Sequence, residues 1–441
     1  MIHRFLAGLL AAALVLGACG DEDPTGVGGP LLPGGVVRSF EVVLDAGTFL
    51  LADTSAGQFH TPAQVGFLIV AHEFGGPSPP LEPGLEAHAL SRFGPAPGTV
   101  AFRDTAGNTR TDSLPRFIGG ELLLRFDTLR SQAPGPVRLR VYPIVEAWHP
   151  GSASWTLRVD SGQVRLAWTE PGGTRGTAVD SAEWAAGRDT LTFTVDSATA
   201  AAWTDTANAA RGALLLAEAE ARLRITSVQL RLRARPSARP DTIVLSGVVP
   251  TLSTFVFDPP APATRALQVT GTPTWRSFLR LRQRLDTLSV ACADCPGGRV
   301  RLADVVINRA ALVLQPVAGP PGFIPEDSLL IEARPVLVSE LLPLARSPLA
   351  GRAAGVLQSR LAPAAFAGAG AAPVELPLTS FVAALAATPV AGEPQPLNTL
   401  ALLGVPEGVL FGFATFASRD SVGAAPRLRL VVTRAIEVEL P

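Results

Sequence analysis

Two cysteines three positions apart have the spacing that most invites a chemical role. Cys292 and Cys295 lie in the turn-rich segment Ala291–Gly298. A zinc site would need two further ligands, and the sequence places none at a suitable spacing nearby. A redox-active pair would need a helix to begin after the first cysteine, and Pro296 followed by two glycines is not a helix start. In an oxidising compartment the spacing therefore predicts a small loop disulfide.

The histidines and carboxylates form no recognisable catalytic motif. The five histidines are widely spaced, and His72 has no second histidine four positions on, so the zinc-protease pattern is absent. No nucleophile elbow, phosphate loop or dinucleotide fingerprint occurs. The aspartates and glutamates are scattered, and no Asp-rich loop assigns a structural calcium ion. The sequence therefore predicts a protein that is not an enzyme and has no cofactor, with a hydrolase as the alternative and with a structural calcium ion left possible but unassigned.

Five of the six tryptophans lie between residues 148 and 203. Exposed aromatic rings are common in carbohydrate sites, because sugar C–H faces are apolar and aromatic faces are electron-rich. Trp148, Trp155 and Trp203 have the sequence context of core residues. Trp168 and Trp184 are each followed by loop residues, so these two are expected to be exposed and to contact a ligand.

The composition excludes several classes of protein. The chain has 441 residues, a formal net charge of −1 and 47% hydrophobic residues. Near-neutral charge gives no field for nucleic acid, and the hydrophobic content is too high for a disordered chain. With 42 glycines and 40 prolines, the chain has too many helix breakers for a helical bundle.

The N-terminus has the pattern of an export signal. Phe5–Val15 is an apolar run too short to span a bilayer. It is followed by Leu16-Gly17-Ala18-Cys19, which resembles the lipobox of bacterial lipoproteins. The resemblance implies that residues 1–18 are a signal peptide and that Cys19 becomes the lipidated N-terminus of the mature protein.

The resemblance also implies a location. Residues 19–35 are rich in glycine and proline and would form a flexible tether. The residue after Cys19 is Gly20 rather than the aspartate that often marks retention in the inner membrane. An outer-membrane lipoprotein is therefore expected, with the lipid anchor as its membrane contact.

Alternation of apolar and polar residues dominates the mature chain. This period of two is typical of strands with one buried face, and hence of antiparallel sheets. The clearest cases are Val137–Tyr142, Val228–Arg233, Phe278–Arg282 and Arg427–Val431. Two Ala-rich segments, Ser197–Trp203 and Thr379–Leu385, are predicted to be short helices that begin at a capping hydroxyl.

An internal repeat follows from the order of these segments. Thr190–Arg235 and Val374–Arg434 both read as strand, short helix and then further strands. A stretch rich in proline and arginine, 234–240, lies between the halves. We therefore predict an all-β protein with two antiparallel sandwiches in tandem, covering residues 36–240 and 241–441.

Several segments of the second half match one known family. They are Leu267–Val269, Ser277–Leu281, Ala310–Leu314, Phe416–Asp420 and Pro426–Leu430. In the first half, Val141–Trp148 and Ser154–Thr156 match as well. These segments resemble the disaggregatase-related repeat (DNRLRE) family of extracellular jelly rolls, which are grouped with carbohydrate-binding modules. The sequence departs from the family at Asp420, where glutamate is usual, and at Thr433, where tyrosine is common.

The resemblance implies two jelly-roll-like domains and a glycan ligand. The leading hypothesis is a non-catalytic, lipid-anchored envelope protein that binds polysaccharide or mediates surface adhesion. The alternatives are a structural lipoprotein that contacts another envelope protein, and a surface hydrolase. No contact with nucleic acid is expected.

Overall fold

The computed structural model describes most of the chain between Ser39 and Arg434. The described residues are 39–57, 67–70, 86–161, 163–248, 250–258, 265–272, 275–293, 295–319, 324–325, 327–338, 344, 347–351, 359–368, 370–405 and 412–434. The proposed signal peptide, Cys19 and the proposed tether therefore lie outside the described residues, as do His60 and His72.

The described chain is built of strands. In chain order they are β1 Ser39–Asp45, β2 Leu50–Gly57, β3 Phe67–Val70, β4 Glu86–Phe93, β5 Val100–Arg103, β6 Thr109–Asp112, β7 Arg116–Phe126, β8 Val137–Pro143, β9 Leu157–Asp160, β10 Arg165–Ala167, β11 Asp180–Trp184, β12 Thr190–Val195, β13 Ala213–Ala217, β14 Ala221–Arg235, β15 Val244–Val248, β16 Pro250–Phe257, β17 Ala266–Thr272, β18 Trp275–Leu281, β19 Ser289–Ala291, β20 Arg299–Arg301, β21 Val305–Leu314, β22 Leu329–Pro335, β23 Ser359–Leu361, β24 Val374–Pro377, β25 Thr399–Val405, β26 Gly412–Ala417 and β27 Arg427–Arg434. All pairings between them are antiparallel, which confirms the all-β prediction.

Three short α-helices are described: α1 Ala46–Phe49, α2 Ser197–Thr204 and α3 Thr379–Ala386. The last two confirm the predicted helices. The carboxylate of Asp196 caps α2 by accepting hydrogen bonds from the backbone N–H groups of Ala198 and Thr199. The cap therefore comes from the residue before the predicted hydroxyl.

The first sandwich has two layers that share one long strand. One layer has the order β12-β7-β14-β15, and the other has the order β11-β8-β13-β4, with β16 and β3 both paired to β4. The first residues of β14 pair with β3 and the later ones with β7. The register shifts between Ile225 and Ser227, so the inward-facing residues change from Leu223 and Ile225 to Val228 and Leu230.

The second sandwich repeats this arrangement. Its smaller layer has the order β1-β27-β21-β24, and its larger layer has the order β23-β22-β25-β18-β17-β26, with β2 paired to β18. Each sandwich has its own apolar core. The order strand, helix, strands recurs over β12 to β14 and over β24 to β27.

Strand pairings cross the predicted boundary near residue 240 from both sides. Ser39–Gly57, assigned to the first domain, pairs with β27 and β18 of the second sandwich. Val244–Phe257, assigned to the second domain, pairs with β14 and β4 of the first. The breaker-rich stretch near residue 240 is a turn inside the first sandwich, where Asp112 accepts hydrogen bonds from the backbone and hydroxyl of Ser237 at 2.7 and 2.6 Å. Prolines in this stretch indicate a turn, but they do not show with which strands the next segment pairs.

Candidate functional site

Trp184 is buried, contrary to the expectation that it is exposed. Its side chain is fully enclosed in the core of the first sandwich, where its ring lies 6.2 Å from that of Phe126. Its indole N–H donates to the carbonyl of Arg188 at 2.9 Å, so the turn that follows β11 satisfies the polar atom. A ring in this position packs the core and cannot stack on a sugar.

Trp168 is also buried, against the same expectation. It belongs to an apolar cluster on the outer face of the larger layer, together with Trp148, Leu90 and Leu214. Its indole N–H donates to the carbonyl of Ser154 at 2.9 Å. The long connection between β8 and β11 folds back over the sheet, and this long-range contact covers a ring that local sequence places beside a loop.

Cys292 and Cys295 are joined by a disulfide, with their Cα atoms 5.3 Å apart. The bond closes the loop between β19 and β20, and both side chains are buried at the edge of the second core. The disulfide therefore cross-links the loop between β19 and β20 in the second sandwich.

The described histidines have structural partners. The ring of buried His88 lies 2.8 Å from the carbonyl of Gly172 and 2.9 Å from the carboxylate of Glu86. His149 is 3.3 Å from the hydroxyl of Ser152. In the described part of the chain, no three side chains of His, Cys, Asp or Glu are grouped as a metal site requires.

Equivalent positions in the two sandwiches can be matched through the strand registers. In the first sandwich, Tyr142, Leu214, Leu90 and Thr254 form one row across the larger layer. In the second, the corresponding row is Arg334, Ala401, Phe278 and Thr54. Both rows lie on the outer face of their sheet, so the two outer faces can be compared residue by residue.

The outer face of the first sandwich is covered by tryptophan side chains. Trp148, Trp155 and Trp168 from the β8–β11 connection cover Leu90 and Leu214. Gly172 and Gly173 let the connection approach closely, because a Cβ at either position would lie 2.6–2.7 Å from neighbouring side-chain atoms. Both glycines also have positive φ, which L-residues rarely adopt.

The outer face of the second sandwich has a different cover in the part of the chain that the structure describes. The segment between β22 and β23, residues 336–358, contains no tryptophan. Its described residues Val336, Leu344 and Leu349 pack on Phe278 and Leu403. A cavity of about 180 Å³ lies on this face, and Leu344 is the described residue of the segment that lines it. We call this cavity the pocket.

The pocket combines an apolar base with polar groups. It is lined by Ala52, Asp53 and Thr54 of β2, Phe278 and Arg280 of β18, Thr399 of β25, and Leu344. Its lining therefore offers a carboxylate, a guanidinium and two hydroxyls around an aromatic ring. Such a set can fix the orientation of a polar ligand while its apolar face rests on carbon.

The carboxylate of Asp53 is half-buried at the wall of the pocket. Burial raises the pKa of Asp53, and the hydrogen bond that its Oδ2 accepts from the backbone N–H of Arg419 at 2.8 Å partly offsets this. The guanidinium of Arg419 also donates to the carbonyl of Leu51. These contacts fix the wall of the pocket to the loop that follows β26.

Sequence reasoning missed the pocket. Alternation within Phe278–Arg282 places Phe278 and Arg280 on one face of a strand, which is the one available signal. Asp53 and Thr54 reach this face only because β2 pairs with β18, more than 200 residues away in the chain. No local pattern carries that information.

Comparisons with known proteins give no relative for this chain. No protein-family model matches it, and no curated protein matches it. One solved structure, titled BspA_C_mut, aligns over 77% of this chain and 90% of its own at 7% sequence identity. The TM-score of that alignment is 0.09, so it carries no argument about fold or function. Among the described residues, no helix has the length and apolar character needed to cross a membrane.

Proposed function

We propose that this protein is a lipid-anchored envelope protein that binds a glycan through the pocket of its second sandwich, without catalysing a reaction. The anchor would be Cys19, because the lipobox resemblance ends at that residue. The glycan class is supported by the resemblance to the DNRLRE family, whose jelly rolls are grouped with carbohydrate-binding modules.

One observation carries the proposal. Among the described residues, three tryptophans cover this sheet face in the first sandwich, and the pocket lies on the corresponding face of the second. Because the two faces share one topology, the pocket results from the residues that cover and line this face.

The dimensions and chemistry of the pocket favour one sugar unit. Pockets that enclose drug-sized ligands measure roughly 300–1,000 Å³, so about 180 Å³ suits a single ring or a chain end. A sugar would place C–H groups on Phe278 and hydroxyls toward Asp53 and Arg280. The described lining holds one carboxylate, whereas most glycosidases use a pair, and this supports binding rather than hydrolysis.

A polysaccharide panel tests the proposal. The chain from Gly20 onward retains every described residue and lacks Cys19, so it can be studied free of lipid. We expect it to retain at least one glycan, and we expect Arg280→Gln to weaken that binding by roughly 10–100-fold, as loss of a hydrogen bond from a charged group predicts.

Two further variants sharpen the test. Arg301→Gln makes the same chemical change at an exposed arginine outside the pocket and should bind as the unmodified chain does. Ala52→Trp places a large ring on a lining residue, so it should obstruct the pocket and abolish binding while every polar lining group remains. Failure to retain any glycan, or equal losses in Arg280→Gln and Arg301→Gln, would refute the proposed site.

A further inference from the structure

Each sandwich is completed by one equivalent pair of strands. We call β1–β2 the N-terminal hairpin and β15–β16 the central hairpin, although the two strands of each follow one another in the chain and pair with different layers rather than with each other. β15 pairs with β14 and β16 with β4, while β1 pairs with β27 and β2 with β18. The two hairpins therefore occupy the same place in the two copies of the fold.

A shared irregularity supports this equivalence. The ladder between β16 and β4 skips Thr251, since Leu252 pairs with Arg92 and Pro250 with Phe93. The ladder between β2 and β18 skips Leu51 at the corresponding point. A bulge at the same position in both hairpins supports their structural equivalence.

The two hairpins differ in how far along the chain they lie from the strands with which they pair. The central hairpin follows directly after β14, the strand with which it pairs. The N-terminal hairpin is separated from β18 and β27 by the entire first sandwich. Neither described strand of the N-terminal hairpin pairs with a strand of the first sandwich, where the central hairpin already fills the equivalent place.

The contacts that hold the N-terminal hairpin do not depend on the connecting chain. β1 pairs with β27 along its whole length. The carboxylate of Glu41 receives two hydrogen bonds from Arg429, at 2.8 and 2.9 Å. The hydroxyls of Ser39 and Thr433 are 2.6 Å apart. An identical hairpin from another molecule would satisfy every one of these contacts.

We propose that the second sandwich also accepts the N-terminal hairpin of a second copy of this chain, so that two molecules exchange their hairpins. Exchange of an identical element is a low-cost route to a dimer, because no new interface has to be formed. Nine residues, 58–66, connect the hairpin to β3, and an extended chain of that length reaches roughly 30 Å.

The exchange has a consequence for the pocket. Ala52, Asp53 and Thr54 belong to the N-terminal hairpin, whereas Phe278 and Arg280 do not. In an exchanged pair, each pocket would be assembled from two molecules. This consequence rests on the proposed function, but the exchange itself does not.

Single-cysteine variants test the exchange without a ligand. One preparation of the chain from Gly20 onward carries Ser39→Cys and another, with a different affinity tag, carries Thr433→Cys. The two are mixed at high concentration, taken through unfolding and refolding, and oxidised. We expect a disulfide between the two introduced thiols that joins one copy of each kind, seen as a doubled mass on a non-reducing gel and located by mass spectrometry.

Matched controls make either result decisive. A single chain with both substitutions should form the bond within itself, which shows that the geometry permits it. Leu245→Cys and Arg233→Cys, which face each other in the β15–β14 ladder of the first sandwich, should give no bond between copies when placed on separate chains. If the double variant bonds within itself but Ser39→Cys and Thr433→Cys on separate copies do not cross-link, the exchange is refuted.

Discussion

Arg92 and Arg280 occupy the same position in the two sandwiches, each paired with the residue that follows a bulge in its hairpin. Arg92 is half-buried: its guanidinium lies 4.9 Å from the centre of the Trp148 ring and donates to the carbonyls of Trp148 and Ala209. Arg280 is exposed at the wall of the pocket. One arginine thus contacts residues that cover the sheet, and its counterpart lines a cavity.

Replacing Trp184 should damage the fold. Trp184→Ala would leave a cavity in the first core and should lower the free energy of unfolding by about 3–5 kcal/mol. Urea denaturation of the chain from Gly20 onward measures this. Leu129→Ala, at a side chain that is 90% exposed, should change stability by less than about 0.5 kcal/mol. A Trp184→Ala protein as stable as the control would contradict the burial of the Trp184 ring in the first core.

A fragment whose ends are chosen to keep all paired strands together should fold, whereas a fragment that ends at residue 240 should not. Residues 67–258 contain every described strand of the first sandwich and should unfold cooperatively. Residues 36–240 lack β15 and β16 and carry a hairpin whose partners are missing. Circular dichroism and calorimetry of the two fragments distinguish the boundaries, and equal stability of both would contradict the pairing scheme.

Loss of the α2 cap should cost about 1 kcal/mol, the usual effect of replacing a capping aspartate by alanine. Hydrogen bonds from the backbone and hydroxyl of Thr199 are the main cause that lowers the pKa of Asp196. The stabilisation by this carboxylate is therefore present above about pH 4 and is lost as pH falls through the native pKa. Denaturation of Asp196→Ala against pH checks this, with Asp196→Asn as the variant that keeps the cap.

Asp53 should show the opposite pH dependence. Burial raises its native pKa, so the folded state holds the proton more tightly than the unfolded chain does. Stability should therefore fall as pH rises from about 4 through the native pKa. Asp53→Asn can still accept a hydrogen bond from the N–H of Arg419, so it should be more stable than the unmodified chain at pH 7 and lose that advantage in acid. Glu393→Gln, at an exposed loop position, serves as the control, and identical pH profiles for all three proteins would contradict the effect.

Membrane attachment should depend on one thiol. Cys19→Ser removes the lipid acceptor implied by the lipobox, so the full-length protein should move from the membrane fraction to the soluble fraction. A chain with both Cys292→Ser and Cys295→Ser should stay with the membrane, because those thiols belong to the loop disulfide. A Cys19→Ser protein that still sediments with membranes would rule out this anchor.

Local order was predictable from the sequence, and long-range pairing was not. Alternation located strands such as Arg427–Arg434, and the Ala-rich segments located α2 and α3 within one residue at their ends. The burial of Trp168 and the position of Asp53 in the pocket both depend on segments far away in the chain. The loop residues next to Trp168 suggested that its ring is exposed. The β8–β11 connection instead folds back over the sheet, buries the ring and accepts a hydrogen bond from it through Ser154. Asp53 became a pocket residue through pairing across the whole first sandwich.

The ends of the described fold meet, because Ser39 faces Thr433 across the β1–β27 ladder. If these ends were joined and the chain reopened between Asp258 and Arg265, the order would become β17–β27, β1–β2, β3–β14 and β15–β16. Each sandwich would then be contiguous, with its hairpin last. The observed strand order is thus related by circular permutation to that of two such sandwiches in simple succession.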